Sequence, residues 1–102
     1  MTLTTAGDAT EVDTGATLGL TATPDVTLNN HYYTLAWSVD DETKGTVVDT
    51  EDLTNTLTGV AAGTVVVTCE IKEVDYTGGS RTLISLDPVI KDTASITVNA
   101  AE

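Results

Sequence analysis

Phenylalanine does not occur in this chain, tryptophan and cysteine occur once each, and only 4 residues are basic. Without Phe, and with aromatics at 4%, the interior has to be assembled from aliphatic side chains, chiefly Val, Leu and Ile. The lone cysteine, Cys69, excludes an internal disulfide, so stability must come from packing and backbone pairing. Against the 4 basic residues stand 16 acidic ones, a net charge of −12, and such a field repels nucleic acid and anionic membrane surfaces. No apolar run approaches the ~20 residues of a bilayer span, and no basic-then-apolar opening resembles a secretion signal. The expectation is a soluble chain with no nucleic-acid partner, no membrane insertion and no signal peptide. A large single-sign charge also discourages self-association at high local concentration.

What is present points to an all-β chain. Thr fills 22 of the 102 positions, and its β-branched side chain suits a pleated, half-exposed surface better than a helix. This length fits a single domain, residues 1–102, with one core. Its clearest stretch runs from Gly59 to Ile71, where Val65, Val67, Cys69 and Ile71 alternate with Val66, Thr68, Glu70 and Lys72. That period of two predicts a half-buried core strand, approached through a tight turn that Gly59 and Gly63 permit.

Taken in order, Thr2 to Thr5 and Thr10 to Asp13 read as an edge strand broken at Gly7 and Asp8. Leu18, Leu20 and Ala22 point inward along a second strand that Pro24 ends. After a polar loop from Asp25 to His31, the alternation of Tyr33, Leu35, Trp37 and Val39 predicts a third strand with Trp37 inside. Asp40 to Gly45 is turn chemistry, Thr46 to Asp49 a short strand, and Leu53 to Thr58 a fifth. Beyond Lys72 the phase slips, because Val74 and Tyr76 fall with the outward residues, and a bulge or bend is expected there. Gly78 and Gly79 signal a hairpin turn, Asp87 and Pro88 interrupt the ladder, and Ala94, Ile96 and Val98 close the domain. Residues 70 to 86 read as a β-arm reaching past the body.

Three segments in this order resemble the bacterial immunoglobulin-like family, group 2. They are Thr14-Gly15-Ala16-Thr17-Leu18-Gly19-Leu20-Thr21-Ala22-Thr23-Pro24, then Leu35-Ala36-Trp37-Ser38, then Leu57-Thr58-Gly59-Val60-Ala61-Ala62-Gly63-Thr64. The resemblance covers roughly residues 1 to 72 and 93 to 99 and implies an immunoglobulin-like β-sandwich of seven to eight strands. Residues 73 to 92 have no counterpart and become an elongated hairpin insertion before the last strand. In such a sandwich Leu20 and Cys69 fall near the places where antibody domains carry their disulfide, with Trp37 beside them. The family brings no catalytic residues to this chain. Its members look like domains of bacterial surface adhesins and of phage virion structural proteins, which implies a virion or cell-surface location.

The residues themselves offer little chemistry. Cys69 on an inward position reads as an inert buried thiol, and His31 sits in a distant loop, so no nucleophile and base are paired. No serine lies in a nucleophile-elbow pattern. Asp40, Asp41 and Glu42 fall at one end of the sandwich and Asp49, Glu51 and Asp52 at the other. Neither group has the spacing of a calcium loop, so both read as solvated turns and no metal is expected. No cofactor and no enzyme activity follow. The loops Asp25 to Tyr32, Thr50 to Asp52 and Tyr76 to Arg81 group at one end and carry His31, Tyr32, Tyr76 and Arg81, residue types that favour contact surfaces. These four are the candidate partner-binding residues; the competing reading packs Tyr32 on the core rim and Tyr76 on the arm. The function expected is a non-catalytic display or adhesion module that makes weak, multivalent contacts with a cell-surface glycan or protein, beside other domains of its parent assembly. The alternative is a structural spacer or decoration domain without a ligand.

Overall fold

The computed structural model describes residues 1–24, 33–48 and 50–100, with the side chains of residues 77, 87 and 88 outside that description. Its strands are β1 (Thr2–Thr5), β2 (Glu11–Asp13), β3 (Thr17–Thr23), β4 (Tyr33–Val39), β5 (Gly45–Val47), β6 (Thr54–Gly59), β7 (Gly63–Asp75) and β8 (Thr82–Asn99). They form two four-stranded sheets, ordered β1-β3-β6-β5 and β2-β8-β7-β4. The chain is an all-β sandwich.

The broken edge strand expected from Gly7 and Asp8 changes sheets at the break. β1 runs antiparallel to β3 in the first sheet, whereas β2 runs parallel to β8 in the second. The turn between them bends through Gly7 and Asp8, both at positive φ (63° and 57°). Glycine enters that region freely and aspartate tolerates it. Thr5 Oγ1 donates to Ala9 O at 2.6 Å and closes the crossing.

Alternation fills the space between the sheets. Leu18, Leu20 and Ala22 of β3 meet Val65, Val67, Cys69 and Ile71 of β7, with Leu35, Leu57, Ile96 and Val98 completing the core. Because Leu20 is 1% exposed and Leu35, Leu57 and Cys69 are 0% exposed, the aliphatic interior is closed without any Phe. On β4 the expected alternation fails at its start: Tyr33 is 37% exposed and Thr34 is fully buried. Trp37 is half-buried and packs against the core from its border. Buried Asn55 explains why β5 is short, since its amide takes over from the ladder. Val48 N–H donates to Asn55 Oδ1 at 3.0 Å and Asn55 Nδ2 donates to Val48 O at 2.9 Å.

The two glycines of the approach turn work differently. Gly63 has φ 145°, and a Cβ there would overlap the stem of Lys44. Gly59 is needed for a close approach, because a Cβ would lie 2.5 Å from Asp13 O.

The expected arm is an extension of β7 and β8. Their pairing runs regularly from Gly63↔Val98 to Ile71↔Ile90, then resumes at Lys72↔Ser85 and ends at Asp75↔Thr82. Residues 86 to 89 are thus skipped on β8, which puts the phase slip on the strand that carries Pro88, a residue unable to donate to a ladder. The turn beyond holds Gly78 and Gly79 at φ 78° and 82°. The long axis of the molecule measures 51 Å.

Candidate functional site

The connection between β5 and β6 builds one end of the sandwich from three consecutive residues. Thr50 Oγ1 accepts from Asp52 N–H at 3.2 Å, a local turn that leaves the Glu51 side chain free to reach the opposite sheet. There Glu51 Oε1 accepts from Thr34 Oγ1 at 2.6 Å and from Arg81 Nη2, while Glu51 Oε2 accepts from Arg81 Nη1 at 2.8 Å. A planar guanidinium meets a carboxylate on two atoms in this way, which fixes angle as well as distance. Arg81 first, and Thr34 after it, pull the Glu51 carboxyl down to about 2. Glu51 in turn raises the Arg81 guanidinium, with a smaller contribution from a hydrogen bond to Tyr76. One residue later, Asp52 O accepts from Trp37 Nε1 at 3.0 Å.

This latch joins two of the three loops that the sequence grouped at one end. Arg81, at the base of the arm turn, pairs with Glu51 of the Thr50–Asp52 connection, and Tyr76, 46% exposed, hydrogen-bonds to Arg81. The third loop, with His31 and Tyr32, lies outside the described residues.

The acidic turns have structural partners. Asp40 Oδ1 accepts from Val66 N–H at 2.8 Å and Asp40 N–H donates to Val66 O at 3.1 Å, so Asp40 adds a rung to the β4–β7 ladder. Asp41 accepts from both the backbone N–H and the hydroxyl of Thr43 and lies 3.3 Å from Lys44 Nζ. The Thr43 bonds hold its carboxyl below the ordinary value, with Lys44 contributing less. Among the described residues, no three of His, Cys, Asp and Glu come together. Cys69 is fully buried in the core, and burial, with Asp92 opposite it on β8, raises its thiol to about 12. At that value it is a packing group and not a nucleophile.

Two concavities flank the connection, and neither was visible in the sequence. One is a shallow trough of about 390 Å³ on the outer face of the first sheet, floored by Gly19, Thr21, Thr54 and Thr56. The other is a cleft of about 440 Å³ at the open border between β4 and β5, lined by Trp37, Ser38, Val39, Glu42, Thr46 and Val47. Alternation assigned Trp37 to the interior. It could not show that β4 and β5 are the border strands of opposite sheets, leaving one side of the indole at an opening.

Comparison with models of known protein families returns no match, and comparison with curated proteins returns none either.

Proposed function

We propose that this chain is a non-catalytic binding module, an immunoglobulin-like domain displayed on a phage virion or a bacterial cell surface, making weak contacts that copy number multiplies. The observation carrying the reading is the Thr34–Glu51–Arg81 latch. It holds the arm turn and the β5–β6 connection as one preformed end surface, with Tyr76 standing 46% exposed beside it. A preformed surface loses less entropy on binding than mobile loops do. The immunoglobulin-like assignment is supported by the strand order, β1-β3-β6-β5 facing β2-β8-β7-β4, and by Trp37 lying opposite Cys69 on the paired strands β4 and β7. Likeness to group 2 of the bacterial immunoglobulin-like family, and the virion or cell-surface setting, rest on the three sequence segments that carry the resemblance.

The test compares a monomeric and a multimerised form of the domain in pull-downs with whole bacterial cells. The multimer is expected to be retained and the monomer to wash away, with Tyr76→Ala and Arg81→Ala each lowering retention of the multimer. Equal, negligible retention of every form favours the spacer reading instead. That second reading has its own support, since Arg81 is already committed to Glu51 inside the fold.

A further inference from the structure

The cleft between β4 and β5 sets an aromatic ring beside both apolar and polar side chains. Trp37 is the only tryptophan in the chain, and its Nε1–H donates to Asp52 O at 3.0 Å, so one edge of the indole is tied down. Val39 and Val47 extend the apolar wall, while Ser38, Glu42 and Thr46 supply hydroxyls and a carboxylate around it. Asp41 next door is occupied by Thr43 and Lys44, and Glu42 takes no part in that network. The cleft's volume of about 440 Å³ lies within the range of small-molecule sites.

From this arrangement we infer that the β4–β5 cleft binds a neutral pyranose, one ring of a glycan, stacked on Trp37 with its hydroxyls held by Glu42, Ser38 and Thr46. The ligand class follows from matching surfaces. A pyranose has a face of C–H groups that packs on an aromatic ring and an equatorial belt of hydroxyls that needs donors and acceptors around it. The lining of the cleft combines an aromatic ring and valines with hydroxyls and a carboxylate. Acidic sugars, nucleotides and other anions are disfavoured, because Glu42 lines the site and the whole chain carries a net charge of −12. A tethered indole also forfeits little rotamer freedom when a ligand arrives. The inference rests on the display reading and deepens it by naming a ligand class and a second surface, which adjoins the latched end through the Trp37–Asp52 hydrogen bond.

The single tryptophan lines this cleft, so its fluorescence reports on it, and the Glu42 substitution separates the cleft from the neighbouring connection. Titration of the whole chain with glucose, galactose, mannose and N-acetylglucosamine is expected to give a saturable change with at least one of them. Half-saturation is expected on the order of 1 mM, as suits one ring of about a dozen heavy atoms. Glu42→Ala, an exposed turn substitution that leaves the core intact, should weaken binding about tenfold. Trp37→Phe should weaken it as well, read by NMR shifts of the Val39 and Val47 methyls. A flat response to all four sugars up to about 100 mM, a hundredfold above that half-saturation, overturns the inference, and so does Glu42→Ala titrating like the parent. Failure here can be told from failure of the display reading. Cell retention that depends on Tyr76 but ignores Glu42→Ala sinks the cleft and keeps the display role. Sugar binding without any cell retention keeps the cleft and sinks multivalent display.

Discussion

Cys69 is fully exchangeable only for a residue that asks for no hydrogen bond. Cys69→Ser buries a hydroxyl among Val65, Val67 and Ile71 and is expected to cost about 1–3 kcal/mol more than Cys69→Ala in urea unfolding. Similar midpoints for the two would place the thiol at the surface. The raised thiol also has a pH signature. A native state that holds its proton to about 12, against an ordinary 9.0, loses stability relative to the unfolded chain as pH climbs from about 9 toward 12. Cys69→Ala should remove that part of the slope in alkaline denaturation. Gly59 has the opposite sensitivity, to added volume. Gly59→Ala sets a methyl 2.5 Å from Asp13 O and should cost about 1–3 kcal/mol, because backbone on a neighbouring strand turn has to yield. For Trp37→Ala, full burial would put the loss at about 3–5 kcal/mol. With the indole half-buried, a value near the lower end is expected.

At the scale of elements, the arm turn and the β5–β6 connection are held together by charge. The Glu51 carboxylate, depressed to about 2 against an ordinary 4.5, adds stability that is present above pH 4.5 and lost as pH falls toward 2. Comparing Glu51→Gln with the parent chain across this window isolates the effect: the two curves should converge at the acid end. Because the pair is about one-third exposed, a double-mutant cycle with Arg81→Ala should give only about 0.5–1 kcal/mol, smaller still in high salt. The arm itself has two regimes. Amides in Gly63–Ile71 and Ile90–Val98 sit in a regular ladder over the core, whereas those in residues 72–75 and 82–85 lie past the register break. Hydrogen exchange should therefore be faster in the second group. Equal protection on both sides would mean the break at residues 86 to 89 does not divide the hairpin. At the opposite edge of the sandwich, Leu3 N–H donates to Asp92 Oδ2 at 2.7 Å, so a carboxylate covers a donor that β1 would otherwise leave open for another strand.

Across the whole molecule, 16 acidic residues face 4 basic ones, and repulsion among them opposes compaction. Added sodium chloride is expected to raise Tm, although it weakens the Glu51–Arg81 pair, since the long-range term sums over many charges and the pair is one contact. A Tm that fell with salt would reverse that ranking. The same charge limits what the concave surfaces can hold, favouring neutral or cationic groups over anions in both the trough and the cleft.

Much of this architecture can be read along the chain. Val65, Val67, Cys69 and Ile71 alternate with Val66, Thr68, Glu70 and Lys72, and with one face in the core the period of two decides which side chains are buried. The break at Gly7 and Asp8 and the turn at Gly78 and Gly79 are equally local, because each depends on φ angles that glycine or aspartate adopts; the slip after Lys72 is visible in the sequence as a change of phase, while the residues skipped to make it, 86 to 89, lie on the partner strand. Thr34 shows where locality ends. Its hydroxyl is buried only because Glu51 arrives from the other sheet to accept from it, and Glu51 is there because Arg81 returns along the arm. Trp37 shows the same limit. Period two assigns it to the core, but which strands border the sandwich is a property of sheet order, and sheet order leaves its indole at an opening. The chain by itself thus determined that there would be strands, where they turn and which aliphatic side chains meet. Only the tertiary structure decided which polar groups come together at the end and the edge, because those contacts join residues far apart in sequence whose meeting no local period encodes.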